Sequence, residues 1–297
     1  MNNYLILGSN SAIATYFIER LQSEGNIVWT LSSSRGKKIW AYDMETIRNA
    51  IGKHKPQIIV NFVGSFSNDY SESYRINVLV SKSLLDTAIE SKFDGKIILI
   101  GSAAEYGIQN IYTESCVEKP QSIYGLTKLM QHSLFQYYTY TTQIKMNYIR
   151  LFNVISTNLS EKLFVGNFTR QIKLALKGKI EKLEVGNLNH YRDYLLIDDV
   201  YTGSMKIIEN WNNGEVYNLG MGKAILIRDF VERVISILNL HVKLVSKRLN
   251  SVGNIKDEVV ADITKIKNIG WIPKFDYKSL IREYCRGLKE EIFNEKS

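Results

Sequence analysis

The sequence predicts an α/β protein, a doubly wound parallel sheet with a smaller, interleaved α/β lobe toward its carboxyl end. Two patterns carry that reading. Short, almost uninterrupted apolar runs (NYLILG, PQIIVNFVG, KIILIG) alternate with longer stretches of helical spacing, as expected of strands buried on both faces and the helices that cover them. The first run ends on Gly8, and SAIATYFIERLQ follows at once with helical periodicity, giving the strand, tight turn and helix of a Rossmann-type dinucleotide-binding opening. With 297 residues and 45% hydrophobic content, the chain can bury one large unit and a lesser one. We place the cofactor-binding unit at 1–155 and the substrate lobe at 156–297.

Composition removes several function classes. The net charge of +8 is spread along the chain, without a block of like charges or an aromatic-studded basic stripe, so a phosphate-bearing small ligand accounts for it and nucleic acid is not expected. Cys116 and Cys285 lack metal-ligand spacing, and His54, His132, His190 and His241 are scattered, so no metal site is expected. With neither a charged-then-apolar leader at Met1 nor an apolar run long enough to span a bilayer, the expectation is a cytoplasmic protein without a membrane partner.

Taken in order, the second strand, NIVWTL, runs into SSSRGKK rather than ending on an acid. A carboxylate there would hydrogen-bond a ribose 2′-hydroxyl; Ser32, Ser33 or Ser34 with Arg35, Lys37 or Lys38 would instead hold a 2′-phosphate, which favours NADP over NAD. The bland alternative is a solvated basic loop. In PQIIVNFVG, Asn61, Val63 and Gly64 stand at the carboxyl end of a strand, where open α/β sheets bind ligands. The helix SYRINVLVSKSLLDTAIE follows, with Asn77 inside it. KIILIG then delivers Ser102, and SIYGLTKLMQHSLFQYY places Tyr124 and Lys128 four apart on one helical face. An ammonium near a phenol lowers the phenol's pKa and makes it a usable acid or base, while Ser102 can donate a hydrogen bond to the same reacting oxygen. Alone, such a pair more often marks a solvated face.

QIKMNYIRLFNV reads as the last strand of the first unit, and KLFVGNFTRQIKLALKG as a helix ending at Gly178. GEVYNLG reads as a strand bounded by glycines, and ILIRDFVERVISILNL as an amphipathic helix. The segment VADITKIKNIGWIPKFDYKSLIREYCRGLKEEI closes the small lobe.

The pattern GSAAEYG, Glu114, Pro120 and SIYGLTK resembles the extended short-chain dehydrogenase/reductase family of nucleotide-sugar epimerases, dehydratases and reductases. FTRQI, VGNL, RDYLLIDDV and GEVYNLGMGKAILIRDF are most similar to the GDP-4-keto-6-deoxymannose reductases within it. The resemblance implies catalysis by Ser102, Tyr124 and Lys128, and a cofactor held by Gly8, Ser11, Ala14, Ser33, Arg35, Asp43, Met44, Val63 and Gly64 as well as by Tyr124 and Lys128. The family's glycine pattern at the opening is G-x-x-G-x-x-G; Ser11 and Ala14 replace its second and third glycines, so Ser11 puts a Cβ where backbone should approach a pyrophosphate. Asp43 would meet the adenine amino group, and Asn77 would steady the neighbouring loop or the cofactor. Asn153 in the R-x-F-N-V element and Arg192 would contact the nucleotide-diphosphate sugar; the alternative for Arg192 is an ion pair with Asp198. Lys256 and Arg248 lie near a family pyrophosphate position without its signature. A homodimer built on helices near 74–91 and 122–141 is also implied.

Relatives that dehydrate sugars carry an Asp-Glu pair directly after the Ser or Thr, because removing a C5 proton and expelling a C6 hydroxyl needs a base and an acid. Ala103 and Ala104 stand there, and Glu105 in an extended segment would point to the opposite side. The expectation is therefore an NADPH-dependent 4-ketoreductase, with an NAD-dependent 4-epimerase as the alternative and a non-catalytic NADP-binding regulator as a lesser one.

Overall fold

A computed structural model of the chain describes residues 1–32, 42–109, 112–246 and 258–294. Strand β1 (Asn3–Leu7) enters the core at once, and Gly8 makes the turn into α1 (Ala12–Ser23) at φ +79°. A Cβ on Gly8 would lie 2.7 Å from the main-chain nitrogen of Val63, so only glycine lets these backbones approach. Ser11 caps α1, its hydroxyl accepting from the Ala14 amide at 3.2 Å.

The chain continues through β2 (Ile27–Leu31), α2 (Met44–His54) and β3 (Ile58–Asn61). Next, α3 (Tyr70–Tyr74) runs through a π-helical stretch at Arg75–Leu79 into α4 (Val80–Glu90), and β4 (Lys96–Ser102) follows. After it come α5 (Ile123–Thr141), β5 (Lys145–Leu151), β6 (Asn153–Ile155), α6 (Phe164–Leu176), β7 (Lys182–Val185), β8 (Tyr191–Arg192) and β9 (Tyr194–Leu196). The remainder is α7 (Ile197–Glu209), β10 (Val216–Leu219), β11 (Ile225–Leu226), α8 (Ile227–Ile237), β12 (Lys243–Ser246), β13 (Glu258–Val259), α9 (Thr264–Asn268) and α10 (Tyr277–Asn294).

Six strands form one parallel sheet in the order β2, β1, β3, β4, β5, β10. Alternate residues serve opposite cores, as the two-residue strand period requires. Tyr4, Ile6, Ile58, Val60, Ile98 and Ile100 join one cluster, whereas Leu5, Leu7, Ile59, Ile97 and Leu99 join the other. The order reverses between β1 and β3, which opens a crevice at the carboxyl ends of those strands. One expectation is corrected here: β5 is not the last strand of this sheet, because β10 pairs with it in parallel, Val216 opposite Tyr148. Smaller pairings carry the rest, including β6 with β9, which sets Asn153 opposite Tyr194.

Candidate active site

The three candidate catalytic residues meet because two backbones press together. Ser122 caps α5 by accepting from the Gly125 amide at 3.0 Å, which directs the helix start at the turn following β4. A Cβ on Gly125 would stand 2.3 Å from the Ala104 carbonyl oxygen, so glycine is what admits that approach. Residues Ala103–Glu105 form a 3-10 turn, correcting the expected extended course. Its consequence is that Glu105 folds back under Ser102 and is wholly buried.

Tyr124, Ser102 and Lys128 line one cavity of about 440 Å³. The Tyr124 phenol is pushed up to about 12 by burial, with a Ser102 hydrogen bond opposing and the Glu105 charge adding to the rise. Lys128 is drawn down to about 8 by burial, against the pull of Glu105. The sequence argument had the ammonium lowering the phenol; here the Lys128 ammonium instead donates to the Ile100 carbonyl at 2.8 Å and to Gln131 Oε1 at 3.0 Å. Its hydrogen bonds therefore go to neighbours other than the phenol.

Ser11, Gly64, Asn153 and Arg192 line the same cavity. Asn153 Nδ2 donates to the Asp193 carbonyl at 3.1 Å, and Arg192 donates to the Tyr191 carbonyl at 2.7 Å. Asp198 pairs with Arg20, Lys274 and the Tyr16 hydroxyl. Gly8, Ala14 and Val63 do not line the cavity; Ala14 and Val63 are packed in the cores beneath it. Asp43 and Met44 stand apart at the start of α2, where Asp43 accepts from the Thr46 amide at 2.7 Å. Ser33, Ser34, Arg35, Lys37, Lys38, Arg248 and Lys256 lie outside the described residues. Asn77, fully buried, accepts from the Ser65 amide at 2.7 Å and donates to the Ser65 carbonyl and to Thr127 Oγ1, tying the loop after β3 to α5.

Sequence reasoning missed the apolar character of the site. Phe66, Phe164, Leu159, Leu163 and Tyr194 are among its lining, and the Phe66 and Tyr124 ring centroids lie 4.3 Å apart. An aromatic side chain within the polar loop GSFSN was the one visible signal. Two larger open grooves, along α6 and β7 and at the amino ends of the central strands, hold none of these groups. Among the described residues no cluster of metal-ligating side chains occurs, and no helix is long and apolar enough to cross a membrane.

A scan against family models matches residues 4–220 to the NAD dependent epimerase/dehydratase family. The chain belongs to this family. It is accordingly an enzyme of the extended short-chain dehydrogenase/reductase type, whose relatives reduce, dehydrate or epimerise nucleotide sugars. The GDP-6-deoxy-D-mannose reductase of Pseudomonas aeruginosa is 24% identical over 240 residues, covering 79% of each chain. The structure of the Pseudomonas aeruginosa protein RMD complexed with NADPH superposes with a TM-score of 0.82 at 21% identity, covering 97% of this chain and 99% of that one. The UDP-glucose 4-epimerase of Thermotoga maritima, solved with UDP-glucose, gives 0.85 at 18% identity over 98% and 99%. Likeness at such identities shows a shared fold, and one fold hosts several reactions.

Proposed function

We propose that the protein reduces the C4 ketone of a nucleotide-diphosphate 4-keto-6-deoxy sugar, with NADPH as the preferred reductant. One observation carries the reading: Ser102, Tyr124 and Lys128 line one cavity together with Ala103, Ala104 and a set of apolar side chains. The α1 amino terminus opens beside Gly8 and Ser11, which supports a dinucleotide's pyrophosphate there, and Gly64 lines the same cavity as Lys128. A nicotinamide dinucleotide held along this cleft would supply the hydride that C4 takes up. Tyr124 gives its hydroxyl proton to the C4 oxygen, Ser102 donates a hydrogen bond to that oxygen, and the Lys128 ammonium offsets the charge left on Tyr124.

The two alanines support a reductase over a dehydratase, because methyl groups supply neither acid nor base. They also suit a 6-deoxy carbon. A C6 hydroxyl among Ala103, Ala104, Phe66 and Phe164 would lose its water without gaining a partner. In this reading Gly8, Ser11, Ala14, Val63, Gly64, Asp43 and Met44 shape the cofactor cleft, Ser33 and Arg35 meet its 2′-phosphate, and Asn153 with Arg192 faces the sugar diphosphate. Pairing of two copies through α4 and α5 belongs to it as well; a sedimentation run that finds only monomer removes that part.

The test is NADPH oxidation by the purified protein against GDP-, CDP- and dTDP-4-keto-6-deoxy sugars. Stoichiometric oxidation with one of them is expected. A protein that purifies with tightly held NAD and interconverts C4 epimers without consuming NADPH would be an epimerase, and the reading would be wrong.

A further inference from the structure

Behind the Ser102–Tyr124–Lys128 wall lies a layer of buried charge that the chemistry above does not use. Glu105 faces three donors: the Ser102 amide at 2.7 Å, the Tyr148 hydroxyl at 2.8 Å and Arg150 Nε at 2.9 Å. The Tyr148 hydroxyl also lies 3.2 Å from the Lys128 carbonyl oxygen. Gly101 leaves room for that ring, since a Cβ there would come within 2.1 Å of it. Arg150, itself fully buried, donates to Glu118, to the Tyr106 hydroxyl at 3.0 Å, to the Glu114 carbonyl at 3.1 Å, and faces His132 Nδ1 at 3.0 Å. Burial pushes the Glu105 carboxyl up, and Arg150, the Ser102 amide and Tyr148 pull it back. Three donors around one carboxylate suit its ionised, acceptor-only form.

A buried ion pair is a poor source of stability, because well-packed apolar groups of the same volume do as well or better. What this pair touches suggests another role. We propose that Glu105 is a positioning residue for the site: its carboxylate fixes the Ser102 main chain and, through Tyr148, the α5 turn bearing Lys128, and its charge favours the ammonium form of Lys128. The proposal rests on the reading that Lys128 serves the cofactor and Tyr124.

The groups around the Lys128 ammonium bear this out element by element. From β4 it meets the Ile100 carbonyl, and from its own helix the Gln131 amide, with Tyr124 one turn back. The loop at Gly64 and Asn77 of the π-helical stretch approach it without charge. From β5, Tyr148 and Arg150 both donate to Glu105, and the Tyr148 hydroxyl also lies against the Lys128 carbonyl. Glu105 is the anion whose charge acts on Lys128, in opposition to burial. Without that charge Lys128 would give up its proton at lower pH, and whatever affinity the ammonium contributes to a bound nicotinamide dinucleotide would vanish earlier as pH rises.

The experiment is calorimetric titration of the full-length protein with NADPH, or with NADH if that binds more tightly, over a pH series spanning neutrality to mildly alkaline. Wild-type affinity should fall as pH rises through the Lys128 range. In Glu105→Gln the midpoint should move down by about one pH unit or more, the usual effect of losing an opposite charge at close range. Glu118→Gln, which removes a carboxylate beyond Arg150, should keep the wild-type midpoint, and Lys128→Met should show no such limb. Glu105→Gln/Arg150→Met removes the guanidinium that loss of Glu105 alone would strand, and where the single variant fails to fold it too should move the midpoint down, by less than loss of Glu105 alone would. A midpoint that stays put in the folded variants, whatever their loss of Tm, makes Glu105 a structural anchor only and overturns the proposal, as does a wild-type affinity that does not vary with pH. The measurement needs cofactor alone. A protein that binds NADPH but reduces no 4-keto sugar would therefore sink the proposed reaction while leaving the role of Glu105 decided on its own.

Discussion

At Tyr124 the phenol sits well above neutral pH, so it holds its proton throughout the physiological range and is available as an acid. Tyr124→Phe removes that proton and preserves the ring that packs on Phe66. The expected loss in kcat is about 10²–10⁴-fold, with NADPH affinity nearly unchanged. Stopped-flow measurement of the hydride-transfer step checks it; an undiminished chemical rate would mean the proton comes from elsewhere. Ser102→Ala should cost less, because one hydrogen bond to the reacting oxygen disappears and the acid remains. In the proposed reading Arg35 governs a separate quantity, the choice between NADPH and NADH. A charge-assisted contact to the 2′-phosphate is worth about 1.5–3 kcal/mol, so NADPH should be preferred tenfold or more. Arg35→Ala should erase most of that preference and leave NADH use almost as it was; equal kcat/KM for both cofactors in the unmodified protein refutes the assignment.

The start of α5 is held against the turn after β4 by shape, and Gly125 is the point of contact. Gly125→Ala would force a methyl into the Ala104 carbonyl, so either the turn or the helix must give way. Overpacking of this kind typically costs about 1–3 kcal/mol, and here it displaces Ser102 from Tyr124. Activity should fall further than stability does, which paired Tm and kcat measurements can establish. The same contact explains what could be read in advance. Ser102, Tyr124 and Lys128 were legible because each sits on an element whose type the local pattern reveals, a strand end and one helical face. The aim of the Lys128 ammonium was not, since it depends on the Ile100 carbonyl and on Gln131, an amide that sequence alone leaves as one more polar helix residue. Nor was the path of Glu105, because the reading assumed an extended course where the chain closes a 3-10 turn on the Ser102 capping box. The cavity lining escaped notice for a simpler reason: Phe164, Leu159 and Leu163 have the composition of a core, and only the tertiary fold separates lining from filling.

At the scale of the whole molecule, His132 is one of the buried groups that tie stability to pH; Asp193, raised to about 6 by burial, is another and acts with the opposite sign. His132 is shifted from 6.5 down to about 4, first by burial and then by the Arg150 guanidinium. Its imidazole is therefore neutral in the folded chain and takes up a proton on unfolding at mildly acid pH. The unfolded state binds more protons there, so stability is complete above the unfolded pKa and declines as pH falls toward the folded one. The contribution is on the order of 3 kcal/mol. His132→Gln keeps an acceptor for Arg150 without titrating; denaturant midpoints between neutral and acid pH should slope less in this variant than in the wild type, and equal slopes would assign the acid sensitivity to other groups.

The central sheet was legible strand by strand and not as a whole. GEVYNLG has the look of any short strand, and nothing local announces that it closes the sheet beside β5, because strand partnership is a long-range matter. The late arrival of β10 has a consequence for synthesis. A nascent chain that has emerged only as far as β6 carries β5 as an open edge, the main-chain groups that later meet β10 unpaired along Tyr148–Leu151 while the other side is bonded to β4. Closure waits until α6, β7, β8, β9 and α7 have left the ribosome, so the cofactor cleft cannot mature domain by domain in the order of translation. A truncation ending after residue 155 should expose that edge, and light scattering should show it aggregating, whereas the full chain, with β10 in place, should not aggregate.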